Sequence, residues 1–245
     1  MADKKITFGV NLSLDNYWNV PEFARRAEDL GYGRVTMGEH IMDGNPPRPT
    51  VLSIPAMAAA AGATKTLRVM TGIVIVPLYN PVLLAKMIST LDVISAGRVD
   101  FGIGISGQRG TQVEFDAVGV SVRTRGRRTD EMLQVMKRLW TEEHVSHHGR
   151  FFDFDDVTLL PGPVQQPHPP IYAAGASTPE SFTWAGKYGF HLCTAFFFSE
   201  PETIRDNVAL YRRSLIENGH DPATKDIAGV CQMYCGESDE EAHRI

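Results

Sequence analysis

The hydrophobic pattern of this chain alternates between short and long segments. Short apolar runs are followed by longer segments in which apolar residues recur every three to four positions. The short runs predict buried strands and the longer segments predict amphipathic helices, so the chain is expected to form βα units with a parallel sheet. Seven strands are expected, over residues 6–11, 34–40, 68–76, 98–105, 171–174, 191–195 and 227–236. Helices are expected over residues 21–30, 54–62, 81–94, 129–140, 179–188 and 204–215.

The length of 245 residues suits one domain of the α/β barrel class, so residues 1–245 are expected to form a single domain. Residues 144–160 interrupt the repeat and predict an extended insertion between the fourth helix and the fifth strand. Ser238, followed three residues later by Glu241, predicts a capped helix start. An eighth strand is not found after it, and we therefore expect that the chain is truncated at its C-terminus.

The net charge, the cysteines and the apolar runs of the chain indicate which partners and which compartment to expect. The formal net charge of −5 disfavours a nucleic-acid partner. The one dense basic run, residues 123–128, is interpreted as a solvated loop and helix start, with an anion site as the alternative. Cys231 and Cys235 fall in the strand predicted over 227–236, which would separate them by roughly 13 Å, so they are expected to be reduced. No apolar run reaches the length of a membrane span or a signal peptide, which predicts a cytoplasmic protein with no membrane partner.

The dipeptide Glu39-His40 is the first candidate for chemistry. It closes the second predicted strand, and the C-terminal ends of barrel strands are where active sites form. His40 is the candidate reaction centre. The alternative is that a histidine at a strand end only satisfies a neighbouring carbonyl group.

Several separated motifs together resemble the bacterial-luciferase-like superfamily of flavin-dependent and F420-dependent oxidoreductases. The resemblance extends from Phe8 to Ala242. Its motifs are Gly38-Glu39-His40, residues 71–81 with 91–104, residues 114–119, residues 125–131 with Leu139-Trp140, residues 149–152 and residues 170–177. The resemblance implies a (β/α)8 TIM barrel of luciferase-like type, with seven of its strands in this chain and a flavin ring over the C-terminal mouth.

The resemblance also assigns site residues. His40 matches a histidine beside the reactive edge of the flavin, and it is expected to be catalytic together with Glu39, which would be its orienting partner or form a helix-side salt bridge. The family carries a non-proline cis peptide bond that matches Gly72-Ile73 and supports the back of the ring; the alternative is that Gly72 only allows close packing in a barrel strand. The residues expected to bind the cofactor are Gly72, Ile73, Gly104, Ser106, Gly175, Ala176, Ser177 and Thr178.

Ser177 matches a phosphate-binding serine of the family, at a helix start that is suited to an anion. The alternative is an ordinary helix cap by Ser177 or Thr178. The family also places an arginine shortly after the fourth-strand glycines, where this chain has Ile105 and Ser106, followed by Gln108 and Arg109. This difference leaves open which residue replaces that phosphate contact.

Two other motifs do not predict a binding site. His144, His147 and His148 do not converge at metal-ligand spacing with carboxylates or cysteines, so no metal is expected. The glycines of residues 102–107 do not form a dinucleotide-binding fingerprint, because no helix follows them directly.

The leading interpretation is a reduced-FMN-dependent monooxygenase that transfers one oxygen atom from O2 to a small organic substrate. A separate flavin reductase would supply the reduced flavin, and a homodimer is expected. The first alternative is a coenzyme F420-dependent oxidoreductase that transfers hydride, because residues 125–128 and 164–170 are similar to F420-type members, whereas residues 177–185 are similar to FMN-using members. The second alternative is a non-catalytic flavin-binding protein.

Overall fold

A computed structural model describes residues 6–12, 18–42, 46, 48–107, 111–197 and 199–244. The chain divides into two compact units, Met1–Ile171 and Tyr172–Ile245, and each unit is described by itself. The sequence predicts one domain over residues 1–245, and that remains a prediction.

The first unit contains a parallel sheet. Its strands are β1 (Gly9–Asn11), β2 (Arg34–Met37), β3 (Arg68–Thr71), β4 (Val74–Ile75) and β5 (Val99–Gly104). They are ordered β1-β2-β3-β5, and β4 also pairs with β5. Val35, Val69 and Val99 are level with one another across β2, β3 and β5 and are fully buried. The apolar runs of the sequence therefore form the core of this unit.

Five α-helices among the described residues accompany this sheet. They are α1 (Val20–Asp29), α2 (Ser53–Ala63), α3 (Pro81–Ile94), α4 (Gln112–Ala117) and α5 (Arg125–Thr141). Asn80 caps α3, because its side chain accepts the N–H groups of Val82 and Leu83. Leu84, Ile88 and Leu91 then form the buried face of α3, at the spacing that the sequence pattern predicts. No helix among the described residues has both the length and the apolar character needed to cross a membrane.

The insertion predicted over residues 144–160 is an antiparallel hairpin. It consists of β6 (Val145–His148) and β7 (Asp153–Val157). Glu131 of α5 holds the loop between these strands, since its carboxylate accepts the N–H groups of Phe151 and Phe152 at 3.0 Å each. The hairpin is thereby attached to the helix that precedes it.

The second unit has three parallel strands, β8 (Ile171–Ala174), β9 (His191–Ala195) and β10 (Ile227–Val230), with β9 in the centre. Its helices are α6 (Pro179–Lys187), α7 (Pro201–Glu217) and α8 (Asp239–Ala242). Ser238 caps α8 by accepting the N–H of Glu241, and Glu241 in return accepts the N–H of Glu237. The capped helix start predicted at Ser238 is therefore confirmed.

Several predicted element boundaries are wrong; the second strand, for example, ends at Met37 and not at His40. The first strand begins at Gly9, because Gly9 is level with Arg34, the first residue of its partner β2. The last strand ends at Val230 for the same reason, since its partner β9 ends at Ala195. Cys231 and Cys235 therefore lie beyond the strand, exposed and free. The sequence analysis also missed α4, whose six residues are too few for a clear helical period.

Candidate active site

The ends of β2 and β3 meet closely at one edge of the first unit's sheet. Met37 is level with Thr71, so Gly38 and Gly72 follow side by side. A Cβ atom on Gly38 would lie 2.9 Å from the carbonyl oxygen of Gly72, and one on Gly72 would overlap the hydroxyl of Thr36. Only glycine allows this approach of the two backbones.

His40 lies two residues beyond Gly38 and is oriented by Glu114 of α4. The His40 Nδ1 atom is 2.9 Å from Glu114 Oε1. The other carboxylate oxygen, Oε2, accepts the N–H of Ile41 at 2.6 Å and that of Met42 at 3.4 Å. Glu114 is 2% exposed, whereas the side chain of His40 is 21% exposed. A buried carboxylate thus holds both the imidazole ring and the loop that carries it.

This arrangement gives the two nitrogens of His40 different roles. Nδ1 is occupied by Glu114, and within the described part of the chain no partner is found for Nε2. With Nδ1 protonated toward the carboxylate, Nε2 of the neutral ring carries the lone pair. His40 can therefore accept a proton through Nε2, or donate one when the ring is charged.

Glu39 takes different partners from His40. Its carboxylate accepts the N–H of Ser53 at 3.1 Å, the N–H of Ile75 at 3.2 Å and the hydroxyl of Tyr79 at 2.9 Å. Burial raises the pKa of Glu39, and the hydrogen bonds from Tyr79, Ser53 and Ile75 act in the opposite direction. The predicted catalytic role of Glu39 remains a prediction, and the side chain that contacts the ring of His40 is Glu114.

The role of Glu114 was not predicted from the sequence, although residues 114–119 form one of the motifs that resemble the family. His40 and Glu114 are 74 residues apart, so only the folded chain brings them together.

The other predicted cofactor residues of the first unit also lie at strand ends. The Gly72-Ile73 peptide bond is cis, as the resemblance implies. Gly104 is the last residue of β5, and Ser106 follows it with a φ of 55°. The hydroxyl oxygen of Ser106 is buried and has no hydrogen-bond partner among the described residues. Gln108 and Arg109 lie outside the described residues.

In the second unit, Gly175, Ala176, Ser177 and Thr178 connect β8 to α6. The last three of these residues are exposed. Thr178 occupies the N-cap position, and its side chain makes no cap hydrogen bond there. The buried Asn207 donates a long hydrogen bond, 3.4 Å, to the carbonyl oxygen of Ser177. The start of α6 therefore presents polar groups to solvent, as an anion site requires.

The basic run is only partly solvated. Arg123 and Arg127 are exposed, but Arg128 donates to the carbonyl oxygens of Pro77 at 3.0 Å and Tyr79 at 3.3 Å. Its guanidinium group lies 4.4 Å from the ring centre of Phe152. Burial lowers the pKa of Arg128, while Glu131 acts in the opposite direction. The helix predicted over residues 129–140 is present, but α5 begins four residues earlier, at Arg125, so residues 125–128 of the basic run are helical.

The three insertion histidines each have a separate acidic partner. Nδ1 of His144 is 2.6 Å from Asp156, and Nε2 of His147 is 3.1 Å from Glu131. His148 lies between Asp153 and Asp155. Over the residues that the structure describes, no three side chains of the metal-binding types form a group that could hold an ion.

The chain is similar to several known proteins. Residues 6–245 match the model of a family described as luciferase-like monooxygenase. The oxygenase component of flavin-dependent trigonelline monooxygenase from Acinetobacter baylyi is 31% identical over 186 residues, covering 76% of this chain and 51% of that protein. The F420-dependent glucose-6-phosphate dehydrogenase of Kineococcus radiotolerans is 34% identical, covering 71% of this chain and 51% of that protein.

Among solved structures, the crystal structure of monooxygenase RslO1 from Streptomyces bottropensis has a TM-score of 0.84 and 30% identity, covering 98% of this chain and 74% of that chain. The match confirms the predicted fold class, a luciferase-like barrel of alternating parallel strands and helices. The chain spans about half the length of the two curated relatives.

Proposed function

Because the chain belongs to the luciferase-like monooxygenase family, we propose that it is a reduced-FMN-dependent monooxygenase. It transfers one oxygen atom from O2 to a small organic substrate. The observation that carries this proposal is the His40–Glu114 pair, in which Glu114 of α4 holds a histidine just beyond the end of β2, while Nε2 of His40 has no partner within the described residues. The monooxygenases among the matched proteins support the same reaction class.

The residues at the site fit a flavin. Gly38 and Gly72 let the ends of β2 and β3 approach each other closely, and the buried hydroxyl of Ser106, which has no hydrogen-bond partner among the described residues, can serve a polar group of the cofactor. Ser177 and the start of α6 are the proposed phosphate contacts. Bound reduced FMN supplies the electrons for oxygen transfer. His40 then moves a proton at Nε2, while Glu114 keeps its ring in place.

Hydride transfer with coenzyme F420 is the second candidate. The similarity to an F420-dependent dehydrogenase, at 34% identity over 71% of this chain, favours it specifically. The role proposed for His40 is shared by both candidates, because each reaction needs a proton donor or acceptor beside the ring. A non-catalytic flavin-binding protein is the third candidate.

The proposed reaction requires a protein that supplies reduced flavin, and the cysteines indicate the compartment. We propose that a separate flavin reductase supplies reduced FMN, as the description of one relative as an oxygenase component suggests. The three free cysteines fit a reducing compartment, and we propose the cytoplasm.

We also propose a homodimer formed through α2 and α3, which are neighbours. The outer face of α2 has Pro55, Ala59 and Gly62 exposed, and α3 exposes Leu83 (57%) and Ile94 (50%). Exposed apolar residues on two neighbouring helices are typical of an interface between subunits.

The test compares binding of reduced FMN with binding of reduced F420 to the purified protein under anaerobic conditions. Admission of O2 with a panel of small organic substrates follows, with measurement of O2 consumption and hydrogen peroxide yield. Tight FMN binding and O2 consumption that exceeds the peroxide formed would support the monooxygenase. Binding of F420 alone would favour hydride transfer, binding without turnover would favour the third candidate, and binding of neither cofactor would overturn the proposal.

A further inference from the structure

Glu39 connects three separate pieces of the first unit. Its Oε2 atom accepts the N–H of Ser53, the first residue of α2, and Ser53 in turn donates its hydroxyl to the carbonyl oxygen of Met37 at 2.7 Å. Its Oε1 atom accepts both the N–H of Ile75 and the hydroxyl of Tyr79. One carboxylate therefore joins the end of β2, the start of α2 and the segment that follows Gly72-Ile73.

We propose that Glu39 is a positioning residue that holds residues 73–75 in the place where they support the cofactor ring. This inference rests on the proposed function, since the ring is that of the proposed flavin or deazaflavin. Glu39 would act through the backbone of Ile75 and would not exchange a proton with the substrate. Its role is thus distinct from that of the His40–Glu114 pair.

The chemistry of the three contacts requires a carboxylate. All three partners are hydrogen-bond donors, and Glu39 is only 5% exposed, so water cannot readily replace it. A glutamine would turn its NH2 group toward at least one of these donors, leaving a buried N–H or O–H unsatisfied. Burial and the carboxylate of Glu39 both raise the pKa of Tyr79, which keeps the phenol protonated as a donor.

Tyr79 is held from its other side as well. Its carbonyl oxygen and that of Pro77 accept from Arg128, whose guanidinium group stacks on Phe152. The segment that follows β4 is therefore fixed between Glu39 and α5. Loss of the Glu39 contacts would release the end of this segment that adjoins Ile73.

The structure offers a matched control in Glu28 of α1. Its carboxylate also accepts backbone N–H groups, those of Lys65, Thr66 and Leu67, in the connection between α2 and β3. Glu28→Gln removes the charge from another carboxylate that accepts several backbone N–H groups, at a more exposed place away from the strand ends that form the site. It therefore reports what loss of such a cluster does to folding alone.

The experiment measures dissociation constants of FMN and of riboflavin, which shares the ring but lacks the phosphate, for the wild type, Glu39→Gln, Tyr79→Phe and Glu28→Gln. We expect Glu39→Gln to weaken both ligands by the same factor, roughly 10-fold or more, and Tyr79→Phe to weaken both by a few-fold, as loss of hydrogen bonds to a charged group suggests. The visible absorption of the bound ring should change in both variants. Glu28→Gln should lower the melting temperature and leave both dissociation constants unchanged.

Equal affinity of wild type and folded Glu39→Gln for riboflavin would overturn the inference, as would weakening of FMN alone. If Glu39→Gln does not fold, the Tyr79→Phe variant tests the inference, because it keeps the carboxylate and removes one contact. Unchanged affinity of Tyr79→Phe for riboflavin would also overturn the inference. Failure of the proposed function appears separately, as absence of binding by the wild type. If the wild type binds F420 instead, the same comparison uses F420 and its phosphate-free deazaflavin ring compound.

Discussion

The carboxylate of Glu114 is expected to matter for turnover through His40. Glu114→Gln keeps the shape of the side chain and removes its charge. A hydrogen bond to a charged group contributes about 1.5–3 kcal/mol. If the 2.9 Å contact with Nδ1 keeps the ring productive in the transition state, its loss lowers turnover by roughly 10- to 100-fold, since about 1.36 kcal/mol corresponds to a factor of ten. His40→Ala, which removes the proton-transfer group itself, should cost roughly 100-fold or more with little change in folding or flavin affinity.

The assay is a double-mutant cycle on turnover with saturating cofactor. Because Glu114 acts through His40, the double variant should be no slower than His40→Ala alone. The control is Glu131→Gln, which disrupts another histidine–glutamate pair, His147–Glu131, whose carboxylate also accepts backbone N–H groups. That variant should lose stability and keep turnover.

Full activity of Glu114→Gln would refute the reasoning. Independent, multiplicative effects of the two substitutions would show that Glu114 acts on something other than His40. Unchanged turnover in His40→Ala would remove the histidine from the mechanism altogether.

Three further predictions concern the phosphate, the acid stability and the assembly. Ser177→Asp should raise the dissociation constant of FMN markedly and leave that of riboflavin nearly unchanged, because a negative charge would face the phosphate; equal weakening of both ligands would place the phosphate elsewhere. For Glu28, burial alone would raise the pKa, but hydrogen bonds from Thr66 and Leu67 lower it to about 2 from 4.5. The stabilisation from this group is therefore present above pH 4.5 and lost as the pH falls toward 2. On acidification over this range, the free energy of unfolding measured with urea should decrease by about 1–2 kcal/mol less in Glu28→Gln than in the wild type. Leu83→Asp should convert the proposed dimer to a monomer in sedimentation, whereas Leu30→Asp, at an exposed position just after α1, should leave it intact.

The periodicity of the chain determined most of the helices and strands, although not the six-residue helix α4. The strands over residues 171–174 and 191–195 and the helix over 81–94 have the predicted bounds, because their apolar spacing, proline and glycine positions act within a few residues of sequence. The cap at Ser238 was predictable for the same reason. The family and its fold class were also predictable, because each of the motifs is a short continuous run of residues that can be recognised in the sequence.

Tertiary structure decided where the edge strands end and which side chains meet. Gly9 and Val230 are limits set by the lengths of the neighbouring strands β2 and β9, and no local pattern encodes a partner's length. His40 and Glu39 are adjacent in sequence, yet one contacts Glu114 and the other contacts Ser53, Ile75 and Tyr79. Hydrogen bonds between residues far apart in the chain depend on the packing of whole elements, so the sequence could name His40 as a candidate but could not identify the residue that orients it.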